Sequence, residues 1–256
     1  MSLVTFETDG PIGLLRLSRP EKLNALTPDM LEEIAAAVDR AEVSPDLRAL
    51  VIHSEGKAFS VGADINIWSA LTPEEFRTRW IKGGHRAFDS VAGCRLPVIA
   101  ALHGMAFGGG LELALAADLR IAERGTILAL PETSLGTVPG WGGTQRLTEI
   151  AGRARAKQMI LAAERIDAET AAQWGLVNTL CEEGDALTAA KQRATEIAAR
   201  APIAVQIAKQ VIDGRAGEGL PQTLEMLAGM ATQSTGDLKE GISALKDKRD
   251  PVFGGR

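Results

Sequence analysis

The feature that most constrains the fold of this chain is a change in its hydrophobic pattern near Gly140. Before this residue, apolar runs typical of buried strands, at 47–53 and 97–102, alternate with helical segments such as 28–41. After it, the pattern is almost entirely helical, and a single strand is predicted at 176–180. Since alternating strands and helices favour a sheet with helical crossovers, we expect an α/β fold followed by a helical C-terminal region.

The helical C-terminal part predicts an association surface. Its candidate helices are 143–151, 153–163, 167–174, 185–200, 202–214, 220–233 and 237–248. The apolar faces of the last of these helices are larger than a small appendage can bury by itself. The sequence therefore predicts a core over residues 1–195 that carries the functional site, and an oligomerisation region over residues 196–256.

The composition argues against several classes of protein. Apolar residues make up 45% and charged residues 24% of the 256 residues, which is ordinary for a globular protein. The net charge of −5 gives no general attraction to phosphate backbones, so no nucleic-acid partner is expected. The chain has no basic leader and no run of about 20 apolar residues, so we expect a cytoplasmic protein without a membrane partner.

Residues that could bind metals or form disulfides have no suitable spacing. Cys94 and Cys181 stand far apart, which indicates reduced thiols and argues against a disulfide frame or a zinc site. None of His53, His85 and His103 has a second ligand at metal-binding spacing, and none pairs visibly with a Ser or Cys nucleophile. We therefore expect no metal ion and no catalytic histidine.

Two carboxylates flank one glycine-rich bend. Gly108-Gly109-Gly110-Leu111-Glu112 opens a helix predicted over 109–117, and Glu132 follows a short predicted strand over 127–130. Each glutamate alone is typical of a helix start or a surface loop, and the glycines alone are typical of a tight turn. Together they indicate an acid and a base beside backbone N–H groups that can approach a ligand closely. The helix dipole is expected to lower the pKa of Glu112.

A second small-residue turn, residues 58–65, follows the predicted strand at 47–53 and is a further candidate source of backbone donors. Its ordinary interpretation is a strand-to-helix turn. A nicotinamide-binding interpretation of the glycine triplet is weaker, because the spacing departs from G-x-G-x-x-G and no ribose-binding acid follows.

The order and spacing of several motifs resemble the enoyl-CoA hydratase/isomerase (crotonase) family over essentially the whole chain. The matching segments are Asn24-Ala25-Leu26, the turn 59–65, 108–112, Pro131-Glu132, 135–140, 142–147 and 174–178. The resemblance implies a spiral of ββα units followed by a C-terminal helical region that forms trimers, commonly paired into hexamers.

The resemblance also implies roles for individual residues. The backbone N–H groups of Ala63 and Gly109 would form an oxyanion hole for the thioester oxygen. The residues implied to bind coenzyme A are Lys22, Asn24, Ala25, Leu26, Lys57, Ala58, Asp64, Ile65 and Lys248. The acyl pocket would include Trp68, Leu128 and Trp141, of which the last two depart from the residues that many relatives carry. No cofactor is implied, since the coenzyme A thioester is itself the substrate.

Within the family, two glutamates are typical of members that add water to a trans-2-enoyl thioester. Both are present, as Glu112 and Glu132, so an enoyl-CoA hydratase is implied, with Glu112 accepting a proton from water and Glu132 delivering one to Cα. The alternatives are another crotonase-type reaction, such as isomerisation or dehydration of a specialised acyl-CoA. A non-catalytic RNA-binding relative is a further alternative, which the acidic balance of the chain disfavours.

Overall fold

The computed structural model describes residues 2–214 and 220–255, and its strands form a six-stranded and a three-stranded sheet. The strands are β1 (Val4–Asp9), β2 (Ile12–Leu17), β3 (Ala49–Ser54), β4 (Val98–Leu102), β5 (Met105–Phe107), β6 (Leu119–Glu123), β7 (Ile127–Ala129), β8 (Arg165–Asp167) and β9 (Thr179–Cys181). The large sheet has the order β1-β2-β3-β4-β6-β9 and is parallel except for the β1-β2 pair. The small sheet has the order β5-β7-β8. Because β4 and β6 lie in the large sheet and the strand after each lies in the small one, the chain winds as a spiral of paired strands.

Helices connect the strands and make up most of the C-terminal part. They are α1 (Pro28–Val43), α2 (Ile65–Trp68), α3 (Pro73–Glu75), α4 (Lys82–Ala92), α5 (Gly109–Ala116), α6 (Gly143–Ala151), α7 (Arg153–Leu161), α8 (Ala168–Gln173), α9 (Ala186–Ala198), α10 (Pro202–Asp213), α11 (Leu220–Gln233) and α12 (Gly236–Asp247). A π-helical turn, Phe76–Ile81, joins α3 to α4. The predicted α/β class and the predicted succession of helices are confirmed.

The large sheet carries apolar side chains on both faces. On one face, Ile99 and Ala101 of β4 pack with Ala190 and Ala194 of α9. The alternate residues of β4 point to the opposite face and join the main core beneath α1, α4 and α5. The near-continuous apolar runs from which these strands were predicted therefore arise because both faces of the sheet are covered.

The prediction of a single strand after Gly140 was wrong. The described residues contain β8 as well as β9, and β9 begins at Thr179 rather than at Leu176. Only Ile166 of β8 is buried, and the strand exists because its backbone pairs with β7. Because the three residues of β8 include only one apolar side chain, they show no alternating pattern. The strand forms through its pairing with β7 and not through a local sequence preference.

The boundary predicted at residue 195 would fall inside α9, which ends at Ala198 and packs on the large sheet. The next break in helical structure comes at Ala201, where Pro202 begins α10. The division into a core and an oligomerisation region stays a prediction.

No helix among the described residues has both the length and the apolar character that crossing a bilayer requires.

A partly buried ion pair fastens α10 to the core. The Nζ of Lys209 donates to the carboxylate of Asp118 at 2.7 Å and to the carbonyl of Leu96 at 3.2 Å. Removing Lys209 leaves the carboxylate of Asp118 with only the N–H of Val98 as a donor, at 2.6 Å, so Lys209→Ala is expected to lower the free energy of unfolding by about 3 kcal/mol. Urea unfolding measures this loss. Lys191→Ala, which breaks an exposed pair with Asp9, should cost about 1 kcal/mol or less; equal losses in the two variants would contradict the assignment.

Candidate active site

The glycine bend joins β5 to α5 and faces Glu132. Gly108 has φ of 49°, in the left-handed region, and its N–H donates to the carbonyl of Ala129 at 2.9 Å. A Cβ at this position would lie 2.9 Å from Oε1 of Glu132. Glycine is therefore required both by the backbone conformation and by the close approach of a carboxylate.

The turn over residues 58–65 is held against this bend by backbone hydrogen bonds. The N–H of Phe107 donates to the carbonyl of Ser60 at 2.9 Å, and the N–H of Leu26 donates to the carbonyl of Gly62 at 2.7 Å. A Cβ at Gly62 would lie only 3.0 Å from the backbone nitrogen of Gly109. The two turns predicted from sequence as donor sources thus meet at one place.

Two backbone N–H groups at this meeting point have no acceptor among the residues that the structure describes. The N–H groups of Ala63 and Gly109 donate to no other group in the part of the chain that the structure describes, and both residues line the same pocket. Ala63 forms a parallel β-bridge with Leu26. The two hydrogen bonds of this bridge join Leu26 to Gly62 and Asp64, so neither uses the N–H of Ala63. Gly109 is the first residue of α5, where an N–H has no partner within the helix. Both amides are available to an oxygen atom in the pocket.

Glu112 lies in the first turn of α5 and is only 2% exposed. Its Oε1 accepts hydrogen bonds from the backbone N–H groups of Trp141 and Gly143, each at 2.8 Å. Burial raises the pKa of this carboxyl, although the two N–H donors oppose the rise. The expectation that the helix dipole would lower this pKa was wrong, because the loss of solvent outweighs the dipole.

Glu132 begins a short 3-10 turn, Glu132–Leu135, directly after Pro131. Its Oε2 is buried and has no hydrogen-bond partner among the described residues. Burial raises the pKa of Glu132 to about 7, and the negative charge of Glu112 adds to the rise. A carboxyl with this pKa can hold or release a proton near neutral pH, which is what acid/base catalysis requires.

Both glutamates and both free amides line one pocket with about 610 Å³ of empty space, including its open mouth. Its walls are mainly apolar. The side chains that form them include Ile65, Trp68, Phe76, Trp80, Ile81, Leu135, Val138 and Trp141. An apolar pocket with a few convergent polar groups is the usual form of a small-molecule site.

The residues predicted for the acyl pocket divide into two groups. Trp68 and Trp141 line the pocket, whereas Leu128 does not. Leu128 is fully buried in the main core, where β7 pairs it with Ala106 on one side and Ile166 on the other. The assignment of Leu128 to the acyl pocket is therefore corrected, and this residue supports the small sheet.

The residues predicted to bind coenzyme A also divide by exposure. Lys22, Lys57 and Lys248 are exposed, as is Ile65 at the pocket mouth, whereas Ala25, Leu26 and Ala58 are buried. Asn24 is buried, and its amide binds the backbone of Arg19, Glu55 and Ala58.

Asp64, another predicted coenzyme A residue, pairs with Arg19 at 2.7 Å and accepts a hydrogen bond from the N–H of Asn66 at 3.1 Å. The side chains of Asn24 and Asp64 thus shape the loop beside the pocket.

Sequence reasoning missed the groups that hold Glu112. The N–H of Gly143 belongs to the first residue of α6, so this helix N-terminus points at the carboxylate. Arg146 fixes the same turn by donating to the carbonyl of Trp141 at 2.9 Å and to Asp89 at 2.7 Å. The glycine pair at the start of α6, Gly142 and Gly143, is the only local sequence signal of this anion site.

Comparison with known proteins matches the sequence and the fold to one class of enzymes. Residues 7–256 match the family model described as Enoyl-CoA hydratase/isomerase. The chain is 34% identical over 253 residues to the short-chain-enoyl-CoA hydratase of Clostridium acetobutylicum, which covers 96% of this chain and 95% of the relative.

Among solved structures, the enoyl-CoA hydratase of Bacillus anthracis is similar with a TM-score of 0.96 and 32% identity, covering 99% of this chain and 100% of that one. DspI of Pseudomonas aeruginosa is similar with a TM-score of 0.94 and 36% identity, covering 99% and 97%. The fold is that of the crotonase-type enzymes. The chain belongs to the enoyl-CoA hydratase/isomerase family.

Proposed function

We propose that the protein is an enoyl-CoA hydratase, a hydro-lyase that reversibly adds water across the 2,3 double bond of a trans-2-enoyl-CoA thioester. The observation that carries this proposal is the convergence of two carboxyls with raised pKa and two unpaired backbone N–H groups on one apolar pocket. The carboxyls can move the two protons that hydration requires, and the amides can stabilise the charge that develops on the thioester oxygen. The names of the relatives agree with this reaction.

The amides of Ala63 and Gly109 are proposed to bind the thioester oxygen. When water adds to Cβ, negative charge moves to this oxygen and an enolate forms. A preorganised N–H donor of this kind contributes about 3–4 kcal/mol of transition-state stabilisation in other enzymes. Because neither amide has an acceptor to give up among the described residues, the proposed stabilisation needs no rearrangement of these hydrogen bonds.

The different surroundings of the two carboxyls support an assignment of roles. Glu112 accepts two backbone hydrogen bonds, which favour its ionised form, whereas Oε2 of Glu132 has no donor within residues 2–214 and 220–255. When the pair holds one proton, that proton is therefore assigned to Glu132. Glu112 then takes a proton from water as the water oxygen bonds to Cβ, and Glu132 gives its proton to Cα, so that H and OH are added and no charge is left over.

The substrate carries its own activating group, so the proposed reaction uses no separate cofactor. The adenosine and phosphate portion of coenzyme A is proposed to lie along the loop from Lys22 to Leu26. Lys22, Lys57 and Lys248 are exposed cations that can bind its phosphates. The pantetheine arm would then pass residues 58–65 to reach the pocket.

The C-terminal helices are proposed to form a homotrimer, or a hexamer of two trimers, in the cytoplasm. Several large apolar side chains of these helices are exposed in the single chain. They include Ile212 on α10, Leu227 and Met230 on α11, and Leu245 on α12. Apolar surface of this kind is typical of association surfaces.

The experiment that tests the proposed function mixes the purified protein with crotonyl-CoA and follows the absorbance of the conjugated thioester. We expect the absorbance to fall and the product mass to rise by one water. A product of unchanged mass with a shifted double bond would instead support isomerisation. If no straight-chain 2-enoyl-CoA is hydrated, from crotonyl- to decenoyl-CoA, the proposal is wrong.

A further inference from the structure

The wall of the pocket beside Glu112 is formed by the indole of Trp141, which packs against two aromatic side chains. Trp141 is 2% exposed, and its ring lies 5.2 Å from that of Trp80 and 5.3 Å from that of Phe88, centroid to centroid. Its Nε1 donates to the carbonyl of Trp80 at 3.3 Å. The indole is thus held in one orientation by a hydrogen bond and by two aromatic neighbours.

The same indole fills the space between α4 and α5. A Cβ at Gly84 of α4 would lie 2.2 Å from its Nε1, and a Cβ at Gly109 of α5 would lie 2.5 Å from its Cζ3. Glycine at both positions leaves the room that the ring occupies. Trp141 therefore closes the pocket directly beside the amide proposed to bind the thioester oxygen.

The pocket leaves little free room beside the indole. Its cavity volume is about 90 Å³, whereas an engineered apolar cavity that admits benzene has about 150 Å³. We therefore expect only a short acyl group to fit in this space. Removing the indole would join this space to the volume between Gly84, Gly109, Trp80 and Phe88.

We propose that the site acts on short-chain 2-enoyl thioesters, and that the side chain of Trp141 sets this limit by closing the acyl end of the pocket. This inference rests on the proposed function. Residue 141 serves the site in two separable ways, because its backbone N–H binds Glu112 while its side chain forms the wall. A substitution other than proline keeps this N–H, while it changes the wall and removes the hydrogen bond from Nε1 to Trp80.

The test compares kcat/KM for crotonyl-, 2-hexenoyl-, 2-octenoyl- and 2-decenoyl-CoA. A pocket that is too short by a methylene typically disfavours a substrate about 10-fold or more, so we expect 2-octenoyl-CoA to be at least about 10-fold poorer than crotonyl-CoA in the wild type. In Trp141→Ala, the ratio of octenoyl to crotonyl activity should rise at least about 10-fold. Trp141→Phe, which keeps an aromatic ring of smaller size, should give a smaller rise.

Trp174→Ala is the matched control, since Trp174 packs on Arg155 and does not line the pocket. Its chain-length profile should equal that of the wild type. If Trp141→Ala does not fold, as judged by circular dichroism and thermal melting, Trp141→Leu is measured by the same ratio.

Two results would overturn the inference: a wild type that hydrates octenoyl- and crotonyl-CoA equally well, or a folded Trp141 variant that loses activity by the same factor at every chain length. A wild type that hydrates no chain length refutes the proposed function instead.

Discussion

Glu132→Gln is expected to lower kcat/KM for hydration of crotonyl-CoA by about 10²- to 10⁴-fold, the usual contribution of a positioned general acid. Glutamine has nearly the same size and keeps the turn that begins at Glu132, but its amide has no acidic proton to give to Cα. Steady-state kinetics at pH 7 measures the loss. Full activity in this variant would remove Glu132 from the mechanism.

The pH dependence of kcat/KM tests the role of Glu132 as well, because the raised pKa of this residue determines whether activity rises or falls with pH. Burial raises the pKa of Glu132 to about 7, and the proposed acid of hydration must be protonated. The kcat/KM for hydration should therefore fall about tenfold per pH unit above pH 7. Dehydration requires the ionised form, so its rate should fall below pH 7. Both effects should disappear from the residual activity of Glu132→Gln.

The same variant is expected to be more stable than the wild type at alkaline pH. The ordinary pKa of 4.5 for this carboxyl is lower than its folded value of about 7, so the folded state loses stability as the pH rises between these values. At pH 8, Glu132→Gln should gain about 3 kcal/mol in the free energy of unfolding. At pH 4 the carboxyl is protonated in both states, and the gain should vanish.

Glu112→Gln is expected to lower kcat by about 10²- to 10⁴-fold with little change in KM, because it removes the base that activates water. The amide oxygen of glutamine can still accept the N–H groups of Trp141 and Gly143, so the turn should keep its shape. A change in KM alone would contradict the assignment. Glu123→Gln is the matched control, since Glu123 is a buried carboxylate that does not line the pocket.

The parts of the fold that could be predicted from sequence are those in which local pattern and tertiary packing agree. The strand over 97–102 was predicted from its apolar run because both faces of β4 are covered. Thr27 and Pro28 mark the start of α1, where the Thr27 hydroxyl accepts the N–H of Met30 at 3.2 Å. By contrast, β8 depends on pairing with β7, which no local pattern of three residues reveals.

The candidate site, too, has features that the sequence indicated and features that it could not. The sequence indicated the glycine bend and both glutamates, because each stands beside residues with special backbone requirements. It could not indicate that Trp141 and Gly143 hold Glu112, since these residues are about thirty positions away and act through backbone atoms. The direction of the Glu112 pKa shift depends on burial, which is a property of the whole fold.

The backbone attachment of Glu112 has a consequence for how enzymes with this fold can diverge. Every residue except proline carries an N–H, so almost any side chain at position 141 leaves the hydrogen bond to Glu112 in place. Mutation at this position can therefore alter which molecules fit the pocket while the reaction itself is inherited unchanged. One residue of the chain thus lets substrate range evolve separately from chemistry.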